Sequence, residues 1–349
     1  MEKCETLFLL GAGASYESGL PLAKDLFDLL LSDLQDKNKK WFDLINYLKE
    51  ISDNSFEDAI SSLDFINSQN FSDYEIKLTS YLSGNNININ KEKLVDIYNL
   101  VDYIKRNWIN KYFKVLDKCK TQYLIPFVKY AKEENAEIFT LNYDNTLEVA
   151  CESANINYSI GLSSEKNELN TQFFSIDNYK DNTLNIHKLH GSIDLFISQL
   201  SADNLYNNVY RPLVKFSDND SKIFDKPAII LGSKNKLTTE AMYLDLLLMF
   251  NTKIQEAKQI FIIGYGFADS HINKFVHNTW FNYSDKEFFI IDPCIITDEE
   301  LPPRSFIHGA YSIKGTIDYR NIFYSSENIQ NNKLYLLKDT FSNFIRKIN

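Results

Sequence analysis

Five short clusters in this 349-residue chain group residue types that could do chemistry: G-A-G-A-S (11–15), L-N-Y-D (141–144), H-G-S (190–192), G-Y-G-F (264–267) and I-D-P (291–293). In the first, bare backbone N–H groups of Gly11, Ala12, Gly13 and Ser15 opening a helix would form a concave, partly positive cradle for a phosphate. The plainer reading is a tight strand exit that needs glycine freedom, with Ser15 as a helix cap. Asn142 carries an amide that donates and accepts, as holding a water nucleophile requires; its plainer reading is a cap for a helix beginning near Asp144. His190 ends its run before Gly191, and an imidazole titrating near neutrality can take a proton from a hydroxyl or a water. His187, three residues earlier, reads as a core histidine. As a metal pair the two would need further ligands, and three-residue spacing in a strand turns them to opposite faces, so no metal is expected. Asp292 could accept bonds from sugar hydroxyls. Asp269 reads as the start of the next helix, where a carboxylate complements the dipole. His271, His277 and His308 have no motif context.

These clusters need elements to hold them. Apolar runs at 5–10, 136–144, 182–194, 227–233, 260–267 and 287–293 read as strands, most of them short and buried on both faces as in a parallel sheet. Helical patterns fall at 22–34, 239–258 and 270–279. A long helical block covers 41–132, where Leu94, Ile97, Val101, Ile104 and Trp108 recur at three- and four-residue steps as one stripe. The polar stretch 83–91 reads as an exposed loop within it. Alternating strand and helix signals predict an α/β fold, a doubly wound parallel sheet with the helical module (41–132) inserted after the first βα unit. The segment 302–349 is mixed and ends in an amphipathic helix over 337–348. No repeat or low-complexity linker divides the chain, so 1–349 reads as one domain. All five clusters terminate strands, and in open α/β sheets ligands bind at the carboxyl ends of strands. Their contents suit a dinucleotide.

Hydrophobic residues make up 44% and aromatics 14% of the chain, enough for a substantial core. A formal net charge of −10 argues against nucleic-acid binding by the surface as a whole. Cys4, Cys119, Cys151 and Cys294 are scattered with no C-x-x-C pair, which fits a reducing cytoplasm and gives no zinc ribbon. No apolar run approaches a membrane span of about 20 residues. Glu2 and Glu5 precede only a short apolar run, so no secretory leader is expected.

A dehydrogenase fingerprint would need glycine where Tyr16 stands, and no Gly-Lys-Ser/Thr follows for a P-loop. G-A-G-A-S with Gly19-Leu20-Pro21 instead resembles the sirtuin cofactor loop, G-A-G-x-S followed by G-I-P. T-L-N-Y-D (140–144) is similar to that family's T-Q-N-x-D, and K-L-H-G-S (188–192) to its catalytic H-G. I-I-G-Y-G (262–266) resembles the strand end beside the NAD adenosine half, and I-I-D-P (290–293) the final strand. The resemblance implies a sirtuin-like Rossmann sheet with NAD as substrate. It puts Asn142 and His190 in catalytic roles, with Asp144 on the nicotinamide carboxamide. Gly11, Ala12, Gly13, Ser15, Gly264, Tyr265, Gly266 and Asp292 would be cofactor-binding. Two departures matter: Leu22-Ala23-Lys24 stands where deacylases carry Asp-Phe-Arg, and their four-cysteine zinc module is missing. The chain resembles instead the sirtuin-like NAD hydrolases of bacterial anti-phage defence, which implies cleavage of NAD to nicotinamide and ADP-ribose as an NAD-depleting effector in abortive infection. The alternatives are a protein deacylase or ADP-ribosyltransferase, or a module that senses NAD without cleaving it. Since unchecked NAD hydrolysis would kill the producing cell, activity is expected to depend on a homo-oligomer or a partner protein such as a ring-shaped ATPase that translocates DNA. The 41–132 module and the 302–349 tail are the expected docking surfaces.

Overall fold

The structure, a computed structural model, describes residues 5–52, 55–67, 91–163, 172–197, 213–216, 226–230, 241–295 and 331–348. The expected loop at 83–91 (apart from its last residue), the first part of the tail (302–330) and His308 lie outside them. The strands in chain order are β1 (Thr6–Leu10), β2 (Glu137–Thr140), β3 (Tyr158–Ser159), β4 (Gln172–Phe173), β5 (Leu184–Lys188), β6 (Gly191–Ile197), β7 (Leu213–Phe216), β8 (Lys226–Ile229), β9 (Gln259–Ile263), β10 (Glu287–Ile291) and β11 (Lys333–Leu337).

Seven of them form a sheet in the order β11-β10-β9-β1-β2-β5-β3, with every recorded pairing parallel. This is the doubly wound sheet that the alternating pattern predicts. The first strand is central because TLFLL is buried throughout, and only an inner strand hides both faces of such a run. Register brings Phe8, Phe261, Phe289 and Tyr335 into one row across four strands. Their rings stack at centroid distances of 5.0, 4.5 and 4.7 Å. Phe127, from the helix Ile125–Glu133, meets Phe8 edge-on at 4.9 Å and Phe341 at 5.0 Å. Full burial of a phenylalanine such as Phe8 or Phe127 is worth about 2 kcal/mol over leaving it exposed.

Three elements differ from the sequence reading. The run 182–194 is not one strand: β5 ends at Lys188, and β6 starts at Gly191 in a second, four-stranded sheet of order β4-β7-β6-β8. Gly191 makes the break with φ +82°, and a Cβ there would lie 1.8 Å from the Ala228 carbonyl oxygen. The PAIILGS run likewise supplies β8 to the small sheet rather than a strand of the parallel one; an apolar run looks the same in either. Conversely, the tail contributes β11 to the main sheet, and its helix Phe341–Ile348 buries Phe341, Phe344 and Ile345 in the core under β1 and β9.

The chain divides into two compact units, Met1–Leu20 with Val115–Ala228 and Glu240–Asn349, and Pro21–Lys114 with Ile229–Thr239. The described part of the second is mainly helical, spanning Leu26–Leu34, Lys39–Ile51, Phe56–Asn67 and Lys91–Phe113. Phe27, Phe56 and Trp108 form its aromatic centre. Ile104–Trp108 is a π turn, so the predicted stripe is wound more loosely where it reaches Trp108. This unit starts and stops earlier than 41–132, because Phe127, Val128 and Ala131 belong to the sheet's own core.

Candidate functional site

The glycine loop after β1 is a short 3₁₀ helix, Ala12–Ser18. Its fixed partner is the turn after β9. Gly11 N donates to Ile263 O and Gly13 N to Gly264 O, both at 2.9 Å, while Ala14 N turns back to Gly11 O. A Cβ on Gly11 would stand 2.6 Å from Gly264 O and Tyr265 Cα, and one on Gly13 2.7 Å from Gly264 Cα. These glycines let two backbones touch, and their N–H groups are used within the protein. Gly266 is different. It is exposed, and among the described residues a Cβ there would meet no atom within 4 Å. Packing does not explain this glycine. Ala12 is also exposed, while Ser15 is buried.

At the end of β2, Asn142 does not cap the following helix. Its Nδ2 donates to Gly11 O at 2.9 Å and to Ser15 Oγ at 3.0 Å, tying the β2 turn to the glycine loop. The N-cap position falls to Asn145, whose side chain makes no cap bond, and the residue before it, Asp144, accepts through Oδ1 from Thr146 N at 3.0 Å and Thr146 Oγ1 at 2.6 Å. Thr146 Oγ1 also lies 3.3 Å from Ser15 Oγ. Beneath the turn, buried Lys188 donates to the Asp144 carbonyl and to Glu148 Oε1 at 2.6 Å. Burial pushes the Glu148 carboxyl above its ordinary value, against the pull of Lys188. Buried Asn145 clasps the Val115 backbone through both amide atoms. Lys188, Glu148, Thr146 and Asn145 escape sequence reasoning; the four-residue spacing of a helix leaves no mark on a strand lysine forty positions away.

His190 follows β5 just as Asn142 follows β2. Thr140 pairs with Lys188 in the sheet, and each of the two stands two positions beyond that pair. His190 is buried, with Nε2 3.0 Å from Asp269 Oδ2. Asp269 Oδ1 accepts from His271 N at 3.0 Å and Ile272 N at 3.4 Å, capping the helix Ser270–Asn282 as expected. Tyr265 is buried; its hydroxyl donates to Asn273 Oδ1 at 2.7 Å and accepts from Asp269 N at 3.2 Å. Asn273 escaped notice too, although its place four residues after Asp269 on a helix puts both on one face.

Asp292 ends β10 as predicted and accepts from Cys294 N at 2.7 Å. Burial pushes its carboxyl above the ordinary value, with the Cys294 bond opposing. Gly264 lies between Asp292 and the first loop, donating to Ile291 O at 3.0 Å. His187 is a core histidine, bonded to Glu137. A small space beneath these turns is lined by Ser15, Thr140, Asn142, Asp144 and Thr146 on one side and by core side chains including Leu124, Leu147 and Phe341 on the other. A far larger cavity of about 680 Å³ opens at the amino ends of β1, β9, β10 and β11. There the lysines face their own partners: Lys258 to Glu5 at 2.6 Å and Lys333 to Glu287 at 3.0 Å. Size alone does not make that end a site. Among the described residues no group of three His, Cys, Asp or Glu side chains could hold a metal ion, and no helix is long and apolar enough to cross a membrane.

A family model of the SIR2-like domain matches residues 136–314, just over half of the chain. No curated protein matches the sequence. Solved structures with similar folds include Sir2Tm bound to a propionylated peptide, 10% identical with a TM-score of 0.45, covering 99% of this chain and 92% of that one. A Sir2 homologue variant in complex with ADP-ribose is 12% identical at a TM-score of 0.44, covering 99% and 91%. Sir2 with an inhibitor, 2′-O-acetyl-ADP-ribose and a deacetylated peptide is 11% identical at 0.43, covering 99% and 93%.

Proposed function

The chain belongs to the SIR2-like domain family, and from that premise we propose that it is an NAD glycohydrolase, cleaving NAD to nicotinamide and ADP-ribose as an NAD-depleting effector of bacterial anti-phage defence. The observation that carries this reading is the matched placement of Asn142 and His190 at the carboxyl edge of adjacent strands, beside two glycine-bearing loops. Gly266 supports room for the substrate, since no atom of the described residues takes the space its missing Cβ leaves. The pyrophosphate would lie along Ala12 and Gly266, flanked by Gly11, Gly13, Ser15 and Gly264, with Tyr265 shaping the second loop from within. Asp292 would take the adenosine ribose and Asp144 the carboxamide.

In the reaction, the C1′–N bond breaks with both electrons going to the pyridinium nitrogen, which leaves as neutral nicotinamide. A water oxygen then bonds to C1′ and loses one proton. Asn142, with both Nδ2 hydrogens spent on Gly11 and Ser15, presents its fixed Oδ1 as an acceptor to that water. His190 accepts the proton and passes it to solvent. Two sequence features favour water over an acyl-lysine acceptor: Leu22-Ala23-Lys24 in place of Asp-Phe-Arg, and four scattered cysteines in place of a zinc module.

The full chain is incubated with NAD, with and without an acetylated peptide. Nicotinamide and free ADP-ribose are expected in equal amounts without peptide. Nicotinamide release that requires the peptide, with acetyl-ADP-ribose as product, would instead assign a deacylase. Control through a homo-oligomer or a partner ATPase is part of the same reading. Turnover per molecule should then rise with protein concentration or with the partner, and a monomer at full speed would refute that part.

A further inference from the structure

We propose that Asp269 is the positioning residue of His190, fixing which ring nitrogen carries the proton; its effect on turnover rests on the NAD-cleavage reading above. The two oxygens of this carboxylate have different tasks. Oδ1 is anchored on the first N–H groups of the helix Ser270–Asn282, from His271 at 3.0 Å and Ile272 at 3.4 Å. Oδ2 is thereby aimed at His190 Nε2, 3.0 Å away in a buried contact. A carboxylate only accepts, and the positive end of the helix favours its charge. The ring must therefore donate from Nε2, which places the lone pair of the neutral imidazole on Nδ1. Of the two ring nitrogens, Nδ1 is then the one with a lone pair to take a proton.

The loop before Asp269 is built to hold this aim. Tyr265 buries its ring and braces Asp269 N and Asn273 Oδ1 with its hydroxyl. Asn273 Nδ2 in turn holds Phe267 O at 2.7 Å. Phe267 sits at φ +54°, a left-handed conformation that a bulky residue keeps only when its surroundings impose it. Capping a helix needs one oxygen and none of this bracing. The alternative is that Asp269 is a cap and nothing more.

Asp269→Asn separates the two. Asparagine is an equally good N-cap, but with its oxygen on the helix it turns an N–H toward the ring. Nε2 must then accept, and the proton moves to Nδ1. The tautomer is read in the full chain from imidazole ¹⁵N shifts, without NAD, above about pH 8 where ordinary histidines are neutral. The His190 signals are assigned by their loss in His190→Gln. We expect an Nε2–H tautomer in the parent and Nδ1–H in Asp269→Asn. NAD turnover should fall about 100-fold or more with KM changed less than about threefold, and with thermal unfolding nearly unchanged. An identical tautomer in both proteins overturns the proposal, as does a switched tautomer with parental turnover. If the Asn variant does not fold, Asp269→Ser serves, capping the helix without a carboxylate for the ring. There the two tautomers should mix and turnover should fall about tenfold; a pure Nε2–H ring or parental turnover overturns the proposal. Because the tautomer is read without NAD, a parent that cleaves no NAD would refute the cleavage reading and still leave the role of Asp269 decided.

Discussion

Strand β5 and the turn that follows it carry two histidines three residues apart, each against a carboxylate and each buried, in two different regions of the sheet. His187 lies within the strand. Its Nε2 meets Glu137 Oε2 at 2.6 Å, Phe139 stacks on it at 4.3 Å, Tyr179 crosses it at 4.1 Å, and Lys253 holds the other Glu137 oxygen at 3.1 Å. His190 lies past the strand end, and its acid comes from the cap of a helix. Burial pulls His187 below its ordinary value against the opposing pull of Glu137. Burial would raise Glu137, but the His187 hydrogen bond and charge, with Lys253, outweigh it and hold the carboxylate low. The inner pair is a structural crosslink between β2 and β5, whereas the outer pair stands past the strand end, where the proposed site lies. Residue type does not separate them; position along the strand does.

The comparison predicts opposite outcomes for the same substitution. His190→Ala should lower NAD cleavage about a thousandfold while leaving circular dichroism unchanged, and Asn142→Ala should act similarly. His187→Ala should keep turnover per folded molecule within about threefold but cost about 3 kcal/mol of stability in urea unfolding, since it breaks a buried pair. Equal losses of turnover at 187 and 190 would break the comparison.

A smaller effect of the inner pair is read by pH. His187 has a lowered folded value, so the unfolded chain binds the proton more readily. Stability is therefore fully present above the unfolded histidine value of 6.5 and is lost as pH falls from there toward the folded value. The slope approaches about 1.4 kcal/mol per pH unit for one proton. Glu137, also lowered, adds to the loss further into acid. Unfolding midpoints at several pH values should show this decline, and His187→Phe should flatten its upper part. An unchanged slope in that variant would sink the assignment.

The glycines sharpen the contrast at the edge itself. Gly13→Ala should destabilise by about 1–3 kcal/mol, because its Cβ would press on Gly264. Gly266→Ala should change stability by less than about 0.5 kcal/mol yet raise the NAD KM about fivefold by filling space meant for the substrate. Smallest of all, Asp292→Asn should cut the preference for NAD over NADP about threefold, by removing a carboxylate that repels a 2′-phosphate. Measured KM ratios decide both.

Much of the sheet was legible because its strands are short apolar runs closed by small or polar residues: β1, β2, β9 and β10 appear within a residue or two of their positions at the start, and the clusters at their ends are all there. What escaped is non-local. Lys333–Leu337 alternates between half-buried and exposed, so it reads as a mixed tail until Phe289 is found against Tyr335. The break between β5 and β6 is hidden inside one apolar stretch, marked only by Gly191. At the site, Asn142 and His190 could be singled out by type and place. The partner of His190 could not, since Asp269 is 79 positions away and in the sequence it reads simply as the start of a helix. Gly11 and Gly13 were visible as a loop, but the backbone they accommodate belongs to the far half of the chain.

The central position of β1 bears on how the protein comes to be folded. Its neighbours on either side, β2 and β9, are distant in sequence, and Gly11 and Gly13 close their N–H bonds only on Ile263 and Gly264. Until that late segment arrives, the N–H groups of Gly11 and Gly13 lack the carbonyls that fix them, and the Asn142 tether to Gly11 holds a loop secured on one side only. Such long-range closure makes folding slow, and it makes the site appear in one step near the end. In reverse, any opening that frees β9 removes the loop, the tether and the Asp269 brace together. Loss of activity on heating should therefore coincide with loss of the sheet, with no stage at which a damaged but working site survives.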